Sequence, residues 1–319
     1  MQPDVSVIIP TYNRRSFLER AVASCFDGNQ DLNVEVIVID DGSSDETQTW
    51  GESLSDDRII YVRQENQGAP AARNHGMEKA RGRYLKFLDD DDCLSRGGLV
   101  EEVRTLDETG AAVCCGNLYA KIPDSEDFIF ENDPVPDLAA GIFSGHVVTY
   151  PLVFTYRREA IEDVQWNTKL RYHQDTDFAV RVASKGIRTV SLDRVIGTWN
   201  DHEGPRIKTQ VKRETDYSKI VRRRLDTVEM GINRLQEEGV LKQHHRQAAA
   251  QGIWEWAHIV AATDLNCFQD CADFINKINP RFKPSRNLKL LSCMDYILGP
   301  STTEKAIFPL RQLKEYLAK

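Results

Sequence analysis

The chain has 319 residues, 41% of them hydrophobic and 28% charged, a globular balance that excludes a disordered or fibrous protein. No apolar run approaches the roughly 20 residues that span a bilayer. The start, Met1-Gln2-Pro3-Asp4, has neither the basic nor the apolar region of a secretory leader, so an integral membrane or secreted protein is not expected. The net charge of −8 is uneven: residues 1–202 carry 21 Lys+Arg against 35 Asp+Glu, residues 203–319 carry 20 against 14. An acidic first part argues against nucleic-acid binding and suits a cation site. The basic second part reads as a solvated helical surface or as a face toward an anionic partner.

Strand-like and helix-like segments alternate along the first half. Apolar runs at Val5–Ile9, Val34–Ile39, Ile59–Val62, Tyr84–Leu88 and Ala111–Tyr119 predict strands, the first ending at Pro10. Between them, Phe17–Phe26, Asp45–Leu54, Ala69–Ala80 and Gly98–Thr109 carry helical patterns. Ser43 with Glu46 reads as a capping box for the second helix. Residues 120–150 are irregular, Pro-containing and acidic. A strand at Tyr150–Tyr156, a helix at Arg157–Asp163, a helix at Gln174–Lys185 and a strand at Ile187–Leu192 follow. After about residue 205 the pattern turns helical, at 214–238, 240–262 and 267–278. The reading is therefore α/β, a mostly parallel helix-flanked sheet over residues 1–205, with a helical extension over 206–319. No internal repeat is visible.

In such sheets ligands bind beyond the carboxyl ends of the strands, where strand order reverses. The polar clusters lie there: Thr11-Tyr12-Asn13-Arg14 after strand one, Asp40-Asp41-Gly42-Ser43-Ser44 after strand two, and Asp89-Asp90-Asp91-Asp92 after strand four. No GxGxxG or GxxxxGK[ST] follows any strand, which disfavours a dinucleotide fold and a phosphate-binding NTPase loop. Four adjacent carboxylates repel one another and need a neutralising cation. Hard divalent ions, Mn²⁺ or Mg²⁺, take such oxygen ligands; the bland alternative is an acidic solvated turn. Extended-chain alternation puts Asp89 and Asp91 on one side, Asp90 and Asp92 on the other. The seven cysteines form no CxxC pair, and Cys267 with Cys271 reads as core packing rather than a metal pair.

Val5-Ser6-Val7-Ile8-Ile9-Pro10-Thr11-Tyr12-Asn13-Arg14 and Val36-Ile37-Val38-Ile39-Asp40-Asp41-Gly42-Ser43-Ser44-Asp45 resemble the amino-terminal signature of family 2 glycosyltransferases. Gly68-Ala69-Pro70-Ala71-Ala72-Arg73-Asn74-His75-Gly76 and Phe87-Leu88-Asp89-Asp90-Asp91-Asp92 continue that signature in order. The resemblance covers roughly residues 4–202. It implies a GT-A fold, a nucleotide-sugar donor, a divalent cation (Mn²⁺ or Mg²⁺) and inversion at the anomeric carbon. By position, Pro10, Thr11 and Tyr12 would wall the nucleobase, and Asp41, or Asp40, would accept its imide N–H. Arg73 would lie near base and diphosphate. Asp89 and Asp91 take the ends of the DxD motif, Asp91 as the direct metal ligand, with Asp90 toward the ribose.

The family places Glu-Asp at the start of a later helix, where this chain has Gln174-Asp175. Asp175, Phe178 and Val182 share the apolar face, so Asp175 is the expected general base; its rival role is a helix cap. Asp177 is expected to point away and pair with Arg181 on the surface. His202 matches a family position that contacts metal or diphosphate, and Arg206 and Lys208 could neutralise the leaving group.

The expected enzyme is thus an inverting, metal-dependent glycosyltransferase moving a sugar from a UDP-linked donor to a glycan or lipid-linked acceptor. It would be cytoplasmic, in peripheral contact with the inner membrane face. Basic residues Lys219, Arg222, Arg223 and Arg224, with Trp254, Trp256 and Phe268, suggest that contact; a homodimer face or a plain helical core are the alternatives. A sugar-1-phosphate nucleotidyltransferase would want a Gly-rich basic loop after strand one, which Asn13-Arg14-Arg15 is not. A catalytically silent nucleotide-sugar-binding module is the third reading.

Overall fold

The computed structural model describes residues 2–121, 126–132, 137–170, 173–200, 217–261 and 263–283. The alternating half is β1 (Val5–Thr11), α1 (Arg15–Ser24), β2 (Val34–Asp40), α2 (Thr47–Glu52), β3 (Ile59–Arg63), α3 (Ala69–Lys79), β4 (Tyr84–Phe87), β5 (Cys93–Leu94) and α4 (Gly98–Thr109). Then come β6 (Val113–Lys121), β7 (Phe128–Phe130), α5 (Leu138–Ser144), β8 (Phe154–Arg157), α6 (Arg158–Ile161), α7 (Gln174–Ser184) and β9 (Thr189–Asn200). Helices α8 (Tyr217–Glu237), α9 (Gln243–Val260) and α10 (Leu265–Ile278) end the described chain.

The sheet order is β3-β2-β1-β4-β8-β6-β9-β5, with β7 added to β6. Strands β1 to β4 are parallel, β8 and β5 run antiparallel to their neighbours, and β6 and β9 are parallel to each other. Strands β1 and β2 are buried along their whole length, as helix cover on both faces requires. The chain leaves β1 toward β2 and β3, then returns to place β4 on the other side of β1. That reversal puts the carboxyl ends of β1 and β4 side by side, the position where ligands bind in open α/β sheets.

Three local departures from the sequence reading have physical causes. Strand β1 runs through Pro10 to Thr11, because pairing with β2 continues to Thr11–Asp40 although pairing with β4 stops at Ile8–Phe87. Pro10 faces the side where β4 has ended, so its missing N–H costs no ladder bond. The Ser43–Glu46 capping box does not form: Ser43 Oγ accepts the Asn13 N–H at 2.9 Å, and Asp45 Oδ1 takes the Thr47 N–H at the start of α2. The predicted strand at Tyr150–Tyr156 is a 3₁₀ turn, Pro151–Val153, followed by β8, and the irregular stretch before it contains β7 and α5.

The chain divides into two compact units, Met1–Leu138 with His146–Glu203, and Ala139–Gly145 with Gly204–Lys319. Within the second, Val221, Ile232, Ile253, Trp254, Phe268 and Phe274 are buried together with Cys267 and Cys271. Helix α9 passes so close to residues 139–145 that a Cβ on Gly252 would lie 2.1 Å from the Phe143 carbonyl oxygen. All six cysteines among the described residues are free thiols.

Candidate active site

The acidic run leaves β4 as a turn. The Asp92 N–H donates to the Asp89 carbonyl at 3.1 Å, which cancels the extended alternation expected from sequence. Carboxylate oxygens of Asp89, Asp91 and Asp92 lie within 4.8 Å of one another, whereas Asp90 is bonded to Thr11 and Arg14. This corrects the sequence pairing, which set Asp92 apart from Asp89 and Asp91. Three hard oxygen donors at that spacing fit a divalent cation.

Asp90 bonds instead to the end of β1 and the loop after it. Its Oδ2 accepts the Thr11 hydroxyl at 2.7 Å and its Oδ1 accepts Arg14 Nη1 at 3.0 Å. The same Arg14 nitrogen donates to Asp91 Oδ2 at 2.9 Å. Burial pushes the Asp90 carboxyl up to about 7, with Asp91 adding to the shift and Arg14 and Thr11 opposing it. Asn13 adopts φ 54°, a left-handed conformation that asparagine tolerates better than most residues, and its Oδ1 accepts the Ser44 N–H of the loop after β2 at 2.6 Å. Pro10 and Thr11 are buried, so of the three expected wall residues Tyr12, 49% exposed, presents its ring.

Both carboxylates at the end of β2 are buried and engaged. Asp40 accepts the Ser43 N–H and the Tyr61 hydroxyl, at 2.8 and 2.6 Å, with Arg63 Nε 3.4 Å away. Asp41 accepts Gln64 Nε2 and the backbone N–H groups of Gln67 and Gly68 at 2.7 to 2.9 Å. Gly42 between them and Ser43 has φ +84°, and a Cβ there would meet the Asn66 nitrogen at 3.1 Å.

Arg73, on α3, is 4% exposed and reaches two carboxylates: Nη2 donates to Asp89 Oδ1 at 2.5 Å, and Nη1 lies 3.5 Å from Asp175 Oδ1. Burial disfavours this cation, yet Asp89 and Asp175 outweigh it and hold the guanidinium in its charged form. Asp175 is 38% exposed at its side chain and is not the helix cap; His173 occupies that place, with φ 59°. The surface reading of Asp177 is corrected. It pairs with Arg181 at 2.7 Å as expected, but its side chain is 9% exposed. His202 and Arg206 lie outside the described residues.

Sequence reasoning missed four contributors. Asp92 was set apart by the alternation argument, and Arg14 had no assigned partner. Asn200, the last residue of β9, donates its N–H to Asp92 Oδ1 and its Nδ2 to the Asp91 carbonyl, both at 3.0 Å. Trp166 lies under Arg73, the guanidinium carbon 4.4 Å from its ring centroid. None of these contacts has a one-element signal; only Asn200, adjoining Asp201-His202, sat near a flagged position.

The family model for glycosyl transferase family 2 matches residues 6–165, half of the chain. The chain belongs to glycosyltransferase family 2. Among curated family members, it is 30% identical over 230 residues to the uncharacterized glycosyltransferase EpsJ of Bacillus subtilis, covering 66% of this chain and 64% of that one. It is 42% identical over 120 residues to the GalNAc(5)-diNAcBac-PP-undecaprenol beta-1,3-glucosyltransferase of Campylobacter jejuni, covering 36% and 38%. The chain thus spans well under two thirds of the length of that enzyme. Among solved structures, S. aureus TarS residues 1–349 in complex with UDP-GlcNAc superposes with a TM-score of 0.64 at 17% identity, covering 99% of this chain and 92% of that one. The mannosyltransferase PcManGT of Pyrobaculum calidifontis, in complex with GDP-Man and Mn²⁺, gives 0.51 at 16% identity, covering 98% and 88%. These place the fold among the GT-A glycosyltransferases.

Proposed function

We propose that this family 2 member is an inverting glycosyltransferase that moves a sugar from a UDP-linked donor to a hydroxyl of a glycan or lipid-linked acceptor. One observation carries the reading: Arg73 joins Asp89 of the acidic turn to Asp175, so one buried cation touches both the donor end and the proton-accepting end of the site. Asp89, Asp91 and Asp92 would hold Mn²⁺ or Mg²⁺, with His202 as a further ligand and Arg206 on the diphosphate. When bound, such an ion neutralises charge gathering on the departing diphosphate.

The chain's own residues do the rest. Tyr12 faces the nucleobase. Asp41 has three donors, and an ionised carboxylate offers about four acceptor positions, so it retains capacity for the base's imide N–H. Asp90 reaches the ribose. Asp175, half-exposed and charged beside Arg73, accepts the hydroxyl proton as that oxygen bonds to the anomeric carbon from the face opposite the diphosphate. The bond from that carbon to the diphosphate oxygen breaks, its electron pair leaving with UDP, and the configuration inverts. The named acceptor of the C. jejuni relative, an undecaprenol diphosphate glycan, supports a lipid-linked acceptor and a place at the cytoplasmic membrane face.

The test is product analysis with Mn²⁺ and a panel of UDP-glucose, UDP-galactose, UDP-GlcNAc and GDP-mannose. Release of UDP is expected, and Asp175→Asn should slow it at least about 10²-fold, the usual scale of a general base. Asp177→Asn should lower the melting temperature while each folded molecule keeps its rate. Release of pyrophosphate would identify a nucleotidyltransferase instead, and a silent Asp175→Asn would remove the base assignment.

A further inference from the structure

Arg73 is fully enclosed, yet only Nη2 makes a hydrogen bond; Nε and Nη1 make none. Two contacts to carboxylates do not by themselves fix the plane of a guanidinium, so something else must hold it flat between Asp89 and Asp175. Trp166 does so. Its indole is 3% exposed, 4.4 Å below the guanidinium carbon, and stacked on Phe178 at 4.2 Å with an interplanar angle of 5°. Phe178 lies on α7 one turn after Asp175, so the same aromatic stack is attached to the helix that carries the base. Phe87 of β4, two residues before Asp89, packs edge-on against both rings at 5.1 and 5.4 Å.

The backbone of Trp166 is fastened independently. Asn74 Oδ1 accepts its N–H at 2.7 Å and Asn74 Nδ2 donates to its carbonyl at 2.9 Å. Asn74 is the residue after Arg73, so clamp and cation leave α3 together. The indole N–H of Trp166 has no hydrogen-bond partner, which means the ring is used for its π face rather than for a donor.

We infer that Trp166, clamped by Asn74, is a positioning residue: it supplies the platform that holds Arg73 between Asp89 and Asp175 and so aims the base. The inference rests on Asp175 being that base. It predicts a loss in turnover without a loss in donor affinity, because Trp166 is buried against Arg73 and Phe178. A phenylalanine keeps a π face; a leucine keeps only apolar bulk.

The experiment measures Mn²⁺-saturated UDP release, with the UDP-sugar of the panel that wild-type protein turns over, for Trp166→Leu, Trp166→Phe, Asn74→Ala and the double variant Trp166→Leu/Asp175→Asn. Trp166→Leu and Asn74→Ala should lower kcat at least about tenfold with KM changed less than about threefold, and Trp166→Phe should stay within about threefold of wild type. In the Asp175→Asn background, Trp166→Leu should cost less than about threefold more, since both act through one group. Wild-type rates in both Trp166→Leu and Asn74→Ala, a Phe variant as impaired as the Leu variant, or fully multiplying effects in the double variant would each overturn it. Asn74→Ala leaves the aromatic core intact, so it decides the matter if Trp166→Leu does not fold. A wild-type rate in Asp175→Asn alone would instead sink the base assignment, a separate result.

Discussion

Asp90 and Asp91 are neighbours in sequence and opposites in role. Both accept Arg14 Nη1, at 3.0 and 2.9 Å, but Asp90 turns back to Thr11 while Asp91 joins Asp89 and Asp92. A carboxylate shared between a cation-binding cluster and an arginine can be neutralised without unfolding, because Arg14 keeps Asp90 as partner. Asp91→Asn should therefore leave the chain folded and weaken Mn²⁺-dependent UDP binding at least about tenfold, the lower end of what even an outer-shell partner of a metal contributes. Calorimetric titration of UDP with and without Mn²⁺ reads this directly. An unchanged Mn²⁺ dependence would take Asp91 out of the ligand set.

Beneath the site, β4 and α4 are joined by an ion pair that no pattern in either element announces. Lys86 Nζ lies 2.7 and 2.9 Å from the two oxygens of Glu102, and the side chains are 0% and 1% exposed. Strand β4 is otherwise apolar and ends in the acidic turn, so this pair ties the helix to the strand that leads into the site. Breaking a buried pair leaves one charge unpaired and costs about 3–5 kcal/mol, whereas replacing both partners with apolar residues is often close to neutral. Lys86→Met alone should accordingly destabilise strongly in urea denaturation, and Lys86→Met with Glu102→Leu should recover most of that loss. If the double variant is no better than the single one, the pair contributes net stability rather than matching two buried charges.

At the scale of the whole molecule, the expected membrane face loses two of its three aromatics. Trp254 and Phe268 are 4% and 0% exposed and meet edge-on at 6.0 Å, so they build the core of the second unit instead of an insertion surface. Part of the basic cluster is also engaged: Arg222 pairs with Asp264 and Asp270, and Arg224 donates to the Phe143 carbonyl. Among the described residues, no helix is long and apolar enough to cross a membrane. Besides the half-buried Trp256 and the exposed Tyr217 and Ile259, what remains for a lipid surface is electrostatic, about 1 kcal/mol per basic residue near anionic lipid and screened within a Debye length. Flotation with phosphatidylserine vesicles should show binding at low salt that is lost at physiological salt. Binding that survives physiological salt would require an apolar anchor, and a stable dimer with no binding at either salt would favour the oligomer reading.

The sequence by itself determined the alternation of strands and helices, the parallel half of the sheet and the polar clusters at the strand ends. Those features are written in single elements, as runs of Val and Ile, helical periodicity and the residues that follow them, and apart from the unpredicted two-residue β5 the described bounds of the alternating half fall within two residues of the predicted ones. Only the tertiary structure decided which carboxylates converge. A turn set by one backbone hydrogen bond, not the alternation of an extended chain, groups Asp89 with Asp91 and Asp92. The helical face placed Asp175 inward and Asp177 outward, yet the half-exposed Asp175 meets Arg73 and the buried one is Asp177, because α7 is buried over more of its surface than one apolar face. Trp166 under Arg73, Asn200 on the acidic turn and Lys86 on Glu102 are contacts between distant segments. They follow from strand order and register, which no local pattern of residues records.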